Sequence, residues 1–181
     1  MKVSNLIKFS YIVFSAVILL SFFSFISYSK KQNKEVKYEL YGKPNSPYSL
    51  LMYDCIEKYS KKYNIPKYVA YNVAYKETGY RGPFHWNYQP VHISSAGAVG
   101  PMQIIPMYAH AFAGKRVSSN ELMKNIELNV KVSMKMLRSW YNMHGNWLEA
   151  CGAYNSGRPI HNDYAIFCSS NKNYKLNWIR Y

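Results

Sequence analysis

Val69-Ala70-Tyr71-Asn72-Val73-Ala74-Tyr75-Lys76-Glu77-Thr78-Gly79 is the stretch on which the reading of this chain turns. Its apolar residues recur at helical spacing, and Gly79 is a helix stop. Glu77 therefore sits at the C-terminus of an apolar helix, facing the negative end of the helix dipole. That position disfavours the ionised carboxylate and suits a general acid. Two glycine-punctuated strings follow, Gly97-Ala98-Val99-Gly100-Pro101-Met102-Gln103 and Ala153-Tyr154-Asn155-Ser156-Gly157.

The other carboxylates make Glu77 stand out. The chain has 9 acidic residues against 23 basic ones. Glu35 and Glu39 lie in a polar linker, Glu57 and Glu121 fall on polar faces or first turns of helices, and Asp54, Glu127, Glu149 and Asp163 complete the set. None is a sequence neighbour of Glu77. The net charge of +14 attracts polyanions. The basic residues are scattered, with no nucleic-acid motif, so nucleic acid is not the expected partner. An anionic wall polymer or membrane surface is.

Residues 9–28 are a run of 20 without a charge, flanked by lysines. As a helix it would rise about 30 Å, the thickness of a bilayer core. The expected organisation is a transmembrane signal anchor at 1–29, a polar tether at 30–45 and one domain at 46–181. A cleaved signal peptide is the competing reading. The lysines after the span would place the domain inside, whereas a wall polymer as partner would place it outside.

The domain reads as mainly α. Ser46 is the expected N-cap of a first helix with Pro47 at its first position, running to about Tyr63. Pro66 opens the next helix, and Pro106 a short one closed by Gly114. Ser118 and Glu121 have the form of a capping box. A long helix runs from about Asn125 to Met143, Asn146 caps another through Tyr154, and about 163–178 is weakly helical. Residues 80–96, with Gly82, Pro83 and Pro90, read as loop or short strands.

The ordered motifs resemble the soluble lytic transglycosylase domain, a lysozyme-like family that cleaves peptidoglycan without water, over about residues 50–165. Glu77-Thr78 stands for its Glu-Ser, Ser94 precedes Gly97-Ala98 as in the family, and Gly97, Gly100, Met102 and Gln103 match its Gly-x-x-Gly-Leu-Met-Gln turn. Pro106, Asn125-Ile126 and Ala153-Tyr154-Asn155-x-Gly157 follow in order. Departures are Thr78 for Ser, Pro101 for Leu, and Asn129 where Gly is common, so helix packing there must differ. About eight extra residues follow Glu77, holding His85, Trp86, Tyr88 and His92, as a sugar-stacking flap or simply a longer loop.

The resemblance implies a lysozyme-like α fold and cleavage of the MurNAc-β-1,4-GlcNAc bond to a 1,6-anhydromuramyl product. Glu77 acts as acid and then base, without metal or other cofactor. Substrate contacts would come from Thr78, Ser94, Gly97, Ala98, Met102, Gln103, Tyr154 and Asn155. Core packing is the alternative for Met102, and a hydrogen-bonded core role the alternative for Tyr154. The partner is the peptidoglycan strand, in a membrane-anchored setting such as a conjugation or secretion apparatus or a virion. A hydrolytic lysozyme and a non-catalytic wall-binding module are the alternative functions. The histidines lack metal-ligand spacing. Cys151 with His161 could serve a thiol peptidase, but that leaves the Glu77-to-Gln103 pattern unexplained. A Cys151–Cys168 bridge cannot be deduced from sequence.

Overall fold

The computed structural model describes residues 47–176; the expected anchor at 1–29 and tether at 30–45 lie outside them. Within the described residues seven helices follow one another: α1 Tyr48–Lys62, α2 Lys67–Thr78, α3 Pro106–Ala113, α4 Ser119–Lys124, α5 Ile126–His144, α6 Trp147–Ser156 and α7 Asp163–Ser170. Among the described residues there are no strands, only isolated bridges pairing Val99 with Ile93 and with Ile104. No helix there is long and apolar enough to cross a membrane.

The long α5 is the axis of the domain. Ile126, Val130, Met134 and Leu137 repeat at three- and four-residue spacing and are fully buried, as an amphipathic helix requires. α1 and α6 pack on α5, and α7 packs on both α6 and α2. Glu127 at the start of α5 accepts from Tyr59 Oη and Lys58 Nζ of α1, each at 2.7 Å. The α6–α7 turn comes so close that a Cβ on Gly152 would meet the Ile160 carbonyl oxygen at 2.1 Å. Only glycine admits that approach, and it brings α7 back across α2.

The helix boundaries follow the chain's own signals, with three differences. Pro47 occupies the N-cap of α1 and the helix starts at Tyr48, one residue later than expected. The capping box is half formed. Ser118 Oγ accepts from the Glu121 amide at 3.1 Å, while the Glu121 carboxylate turns to Lys115 Nζ at 2.6 Å. The last helix is shorter than expected, capped by Asn162 and ending at Ser170.

Candidate active site

Gly79 ends α2 in the left-handed conformation at φ 69°, its amide closing on the Tyr75 carbonyl at 2.8 Å. Glu77 therefore lies in the last turn of α2, as its sequence context requires. Burial pushes its carboxyl up to about 7, against which the Tyr164 hydroxyl acts to lower it. Tyr164 Oη donates to Glu77 Oε1 at 2.5 Å. Desolvation is thus the main cause of the raised value, ahead of any contribution from the helix end.

Glu77, Thr78 and Gly79 form one side of an open pocket of about 590 Å³. The facing wall comes from the lengthened loop: Asn87, Tyr88, Gln89, Val91, His92 and Ile93. Glu77 is the one carboxylate among these lining residues. Val91 is 77 % exposed and Ile93 56 %, so the wall offers apolar surface to whatever enters. The loop's aromatic residues are turned inward instead. Trp86 and Tyr88 stack on each other with ring centroids 4.7 Å apart, and Trp86 meets Tyr80 edge-on. Trp86 Nε1 donates to the Thr78 carbonyl at 2.9 Å, and Tyr88 Oη to the Met123 carbonyl at 2.8 Å. The loop is therefore a packed wall rather than a flap with free ring faces.

The glycine turn is fastened from three sides. Thr78 Oγ1 donates to the Pro101 carbonyl at 2.8 Å, linking the residue after Glu77 to the turn. Tyr154 Oη donates to the Met102 carbonyl at 2.7 Å and lies 2.8 Å from Ser133 Oγ. Asn129, fully buried in α5, accepts from the Met102 amide at 2.9 Å and donates to the Val99 and Leu122 carbonyls at 3.1 Å each. Its amide occupies the space beside Gly100, whose φ of 82° and missing Cβ allow the contact. This is the physical content of the departure at position 129: a side chain fills the space and satisfies three backbone groups.

Several expected substrate contacts turn out to be committed within the protein. The Met102 side chain is fully buried in the core, as its core-packing alternative expects. The Tyr154 hydroxyl is spent on the Met102 carbonyl, so its visible role is to hold the turn. Burial, reinforced by Glu77, raises this phenol well above its ordinary value and keeps it a donor. Ser94 Oγ accepts from the Ala98 amide at 3.0 Å, and Gly97 takes its positive φ of 78° inside that same turn. Gln103 sits at φ 47° with its Nε2 bonded back to the Gly100 carbonyl at 2.8 Å. Exposed Asn155 accepts from Asn162 Nδ2 at 3.0 Å, joining the end of α6 to the cap of α7.

No motif in the sequence singles out Tyr164. It lies 87 residues from Glu77, and its one local signal is the Asn162 cap that starts α7. The thiol-peptidase alternative fails on access: Cys151 is fully buried, and the His161 imidazole lies 3.7 Å from the Glu149 carboxylate.

Known proteins resemble this chain over most of the described residues. Residues 54–175 match the model of the family described as transglycosylase SLT domain. Protein IpgF of Shigella flexneri and protein IpgF of Shigella sonnei are each 31 % identical over 106 residues, covering 58 % of this chain. The match spans 66 % of those relatives, just under two thirds of their length. With Glu77, the glycine turn and Tyr154-Asn155 all inside the matched segment, the chain belongs to the transglycosylase SLT domain family.

Proposed function

We propose that this protein is a peptidoglycan lytic transglycosylase in which Glu77 serves as acid and then as base. The observation that carries the reading is one buried carboxyl, held protonated up to about pH 7, on a pocket with no second carboxylate among its lining residues. A hydrolytic glycosidase of the usual kind pairs two carboxyls about 5–9 Å apart. Here one group suffices, because the substrate supplies the rest. Protonated Glu77 gives its proton to the glycosidic oxygen between N-acetylmuramic acid and N-acetylglucosamine, and the substrate's acetamide stabilises the cation. The Glu77 carboxylate then takes the proton of the muramyl C6 hydroxyl as that oxygen closes the 1,6-anhydro ring. The proton given equals the proton returned, and no water is consumed.

Tyr164 steadies the charged form between these steps and occupies Oε1, leaving Oε2 to meet the substrate. The loop wall at 87–93 receives the sugar against Val91 and Ile93, and Asn155 at the open end of α6 meets the strand. The net charge of +14 draws the domain to an anionic wall. The uncharged run at 9–28 anchors the chain with its domain on the wall side, in a secretion, conjugation or virion assembly.

Mass spectrometry of muropeptides released from intact sacculi tests the reaction. Anhydromuramyl ends that vanish with Glu77→Gln are expected. Reducing ends would make the protein a lysozyme, and full activity in Glu77→Gln would remove the residue from the mechanism.

A further inference from the structure

A second cavity, of about 360 Å³, opens along the seam between α2 and α7, on the face of α2 that carries Tyr71 and Tyr75. It shares no lining residue with the Glu77 pocket. Its size falls near the small end of the roughly 300–1,000 Å³ range of ligand sites. The floor is aromatic. Tyr71 and Tyr80 are almost fully buried, and Tyr174 lies parallel to Tyr71 with ring centroids 5.0 Å apart. Tyr71 and Tyr80 form the buried base, and the apolar surface open to a ligand is that of the partly exposed rings of Tyr75, Phe167 and Tyr174.

The rim is cationic. The Arg81 guanidinium lies over the Tyr75 ring at 5.5 Å, and Lys175 is on the lining. Just outside, Lys76 Nζ lies 5.0 Å from the Phe167 ring. No Asp or Glu lines the cavity, and among the described residues Arg81 and Lys175 are in no ion pair. A guanidinium over a ring still has N–H groups with which to meet a carboxylate.

We propose that this cavity binds the C-terminal carboxylate of a short peptide with small apolar side chains. The carboxylate meets Arg81 and Lys175, the apolar body covers the aromatic floor, and Asn173 lies on the same lining. A bare phosphate polymer would meet the cations and leave the aromatic floor unused. The choice of a wall stem peptide as natural source rests on the function proposed above; the preference for a carboxylate on an apolar body does not. The site would hold the stem of a strand while Glu77, on the same helix, works on glycan in the other pocket.

Titration calorimetry on the full chain carrying Glu77→Gln tests this without turnover. The probe is diacetyl-Lys-D-Ala-D-Ala, with its C-terminal amide and glycerol phosphate as comparison ligands. The peptide is expected to bind, and the amide to bind about tenfold more weakly, the loss of one charge-assisted contact. Arg81→Gln and Lys175→Gln should each weaken the peptide, and chitotetraose should not displace it. Equal binding of peptide and amide, indifference to Arg81→Gln, glycerol phosphate binding as tightly as the peptide, or displacement by chitotetraose would each overturn the proposal. Anhydro product without peptide binding would sink this site alone, and peptide binding without anhydro product would sink the reaction alone.

Discussion

Asn129 and Gly100 share one volume: a Cβ on Gly100 would lie 2.2 Å from Asn129 Nδ2 and 2.5 Å from the Leu122 carbonyl oxygen. The second contact is backbone, which cannot swing aside. Gly100→Ala should therefore cost about 3 kcal/mol or more in denaturant unfolding, from overpacking added to an unfavourable positive φ. A cost below about 1 kcal/mol would show that the turn relaxes freely.

From the other side of the contact, Asn129→Ala leaves the Met102 amide and the Leu122 carbonyl without their partner, and the Val99 carbonyl with the Ile104 amide alone. Each unsatisfied buried group costs about 1–3 kcal/mol, so a total near 3 kcal/mol is expected by chemical denaturation. Asn129→Asp retains the acceptor for Met102 but sets a carboxylate against two carbonyl oxygens. It should be at least as damaging above pH 5, a comparison that a pure volume effect would not reproduce.

Glu77 links stability to pH with a definite sign. Its folded value is raised to about 7 from an ordinary 4.5, so the folded state holds the extra proton between those values. Its contribution is full below about 4.5 and is lost as pH rises through 7. Glu77→Gln cannot charge, so at pH 8 it should be more stable than the parent by about 1–3 kcal/mol, the gap closing towards pH 4. The same substitution should lower turnover by about 10²–10⁴-fold. Thermal melts across pH check the first outcome, and a sacculus turbidity assay the second.

Tyr164→Phe removes the one hydrogen bond that holds the Glu77 carboxyl down. The upper limb of the pH–rate profile should then move to higher pH by roughly one unit, with turnover reduced about tenfold. An unmoved limb would mean that Tyr164 is not coupled to the group that titrates in the reaction.

Val91 and Ile93 are exposed on the pocket wall, so their truncation should separate binding from chemistry. The double change to Ala is expected to raise KM on glycan strands about three- to tenfold at nearly constant kcat, with an unchanged melting temperature. A fall in kcat at constant KM would place the wall in the chemistry instead.

Much of the helical frame was legible because its signals are local. Gly79, Gly114 and Gly145 each end a helix in the left-handed conformation, and Asn125 and Asn146 each cap one with a side-chain acceptor. Glu77 was legible for the same reason, since its place in the last turn follows from Gly79. What escaped is non-local. Tyr164 reaches Glu77 only because α7 is folded back over α2, and nothing in the spacing of either segment encodes that contact. The hydroxyls of Thr78 and Tyr154 suggest substrate contacts in sequence, yet in the fold they bind the carbonyls of Pro101 and Met102. A motif fixes residue types in order; whether a polar atom faces ligand or backbone is decided by packing.

The indole of Trp86, donating to the Thr78 carbonyl, makes the lengthened loop and the end of α2 one mechanical unit. Shortening the loop through Trp86 would strip a partner from the last carbonyl of the helix carrying Glu77, and would unstack Tyr88 as well. An engineer who wants a wider pocket must therefore vary the outer face of the wall and leave its root in place. The loop is a buttress for the end of α2.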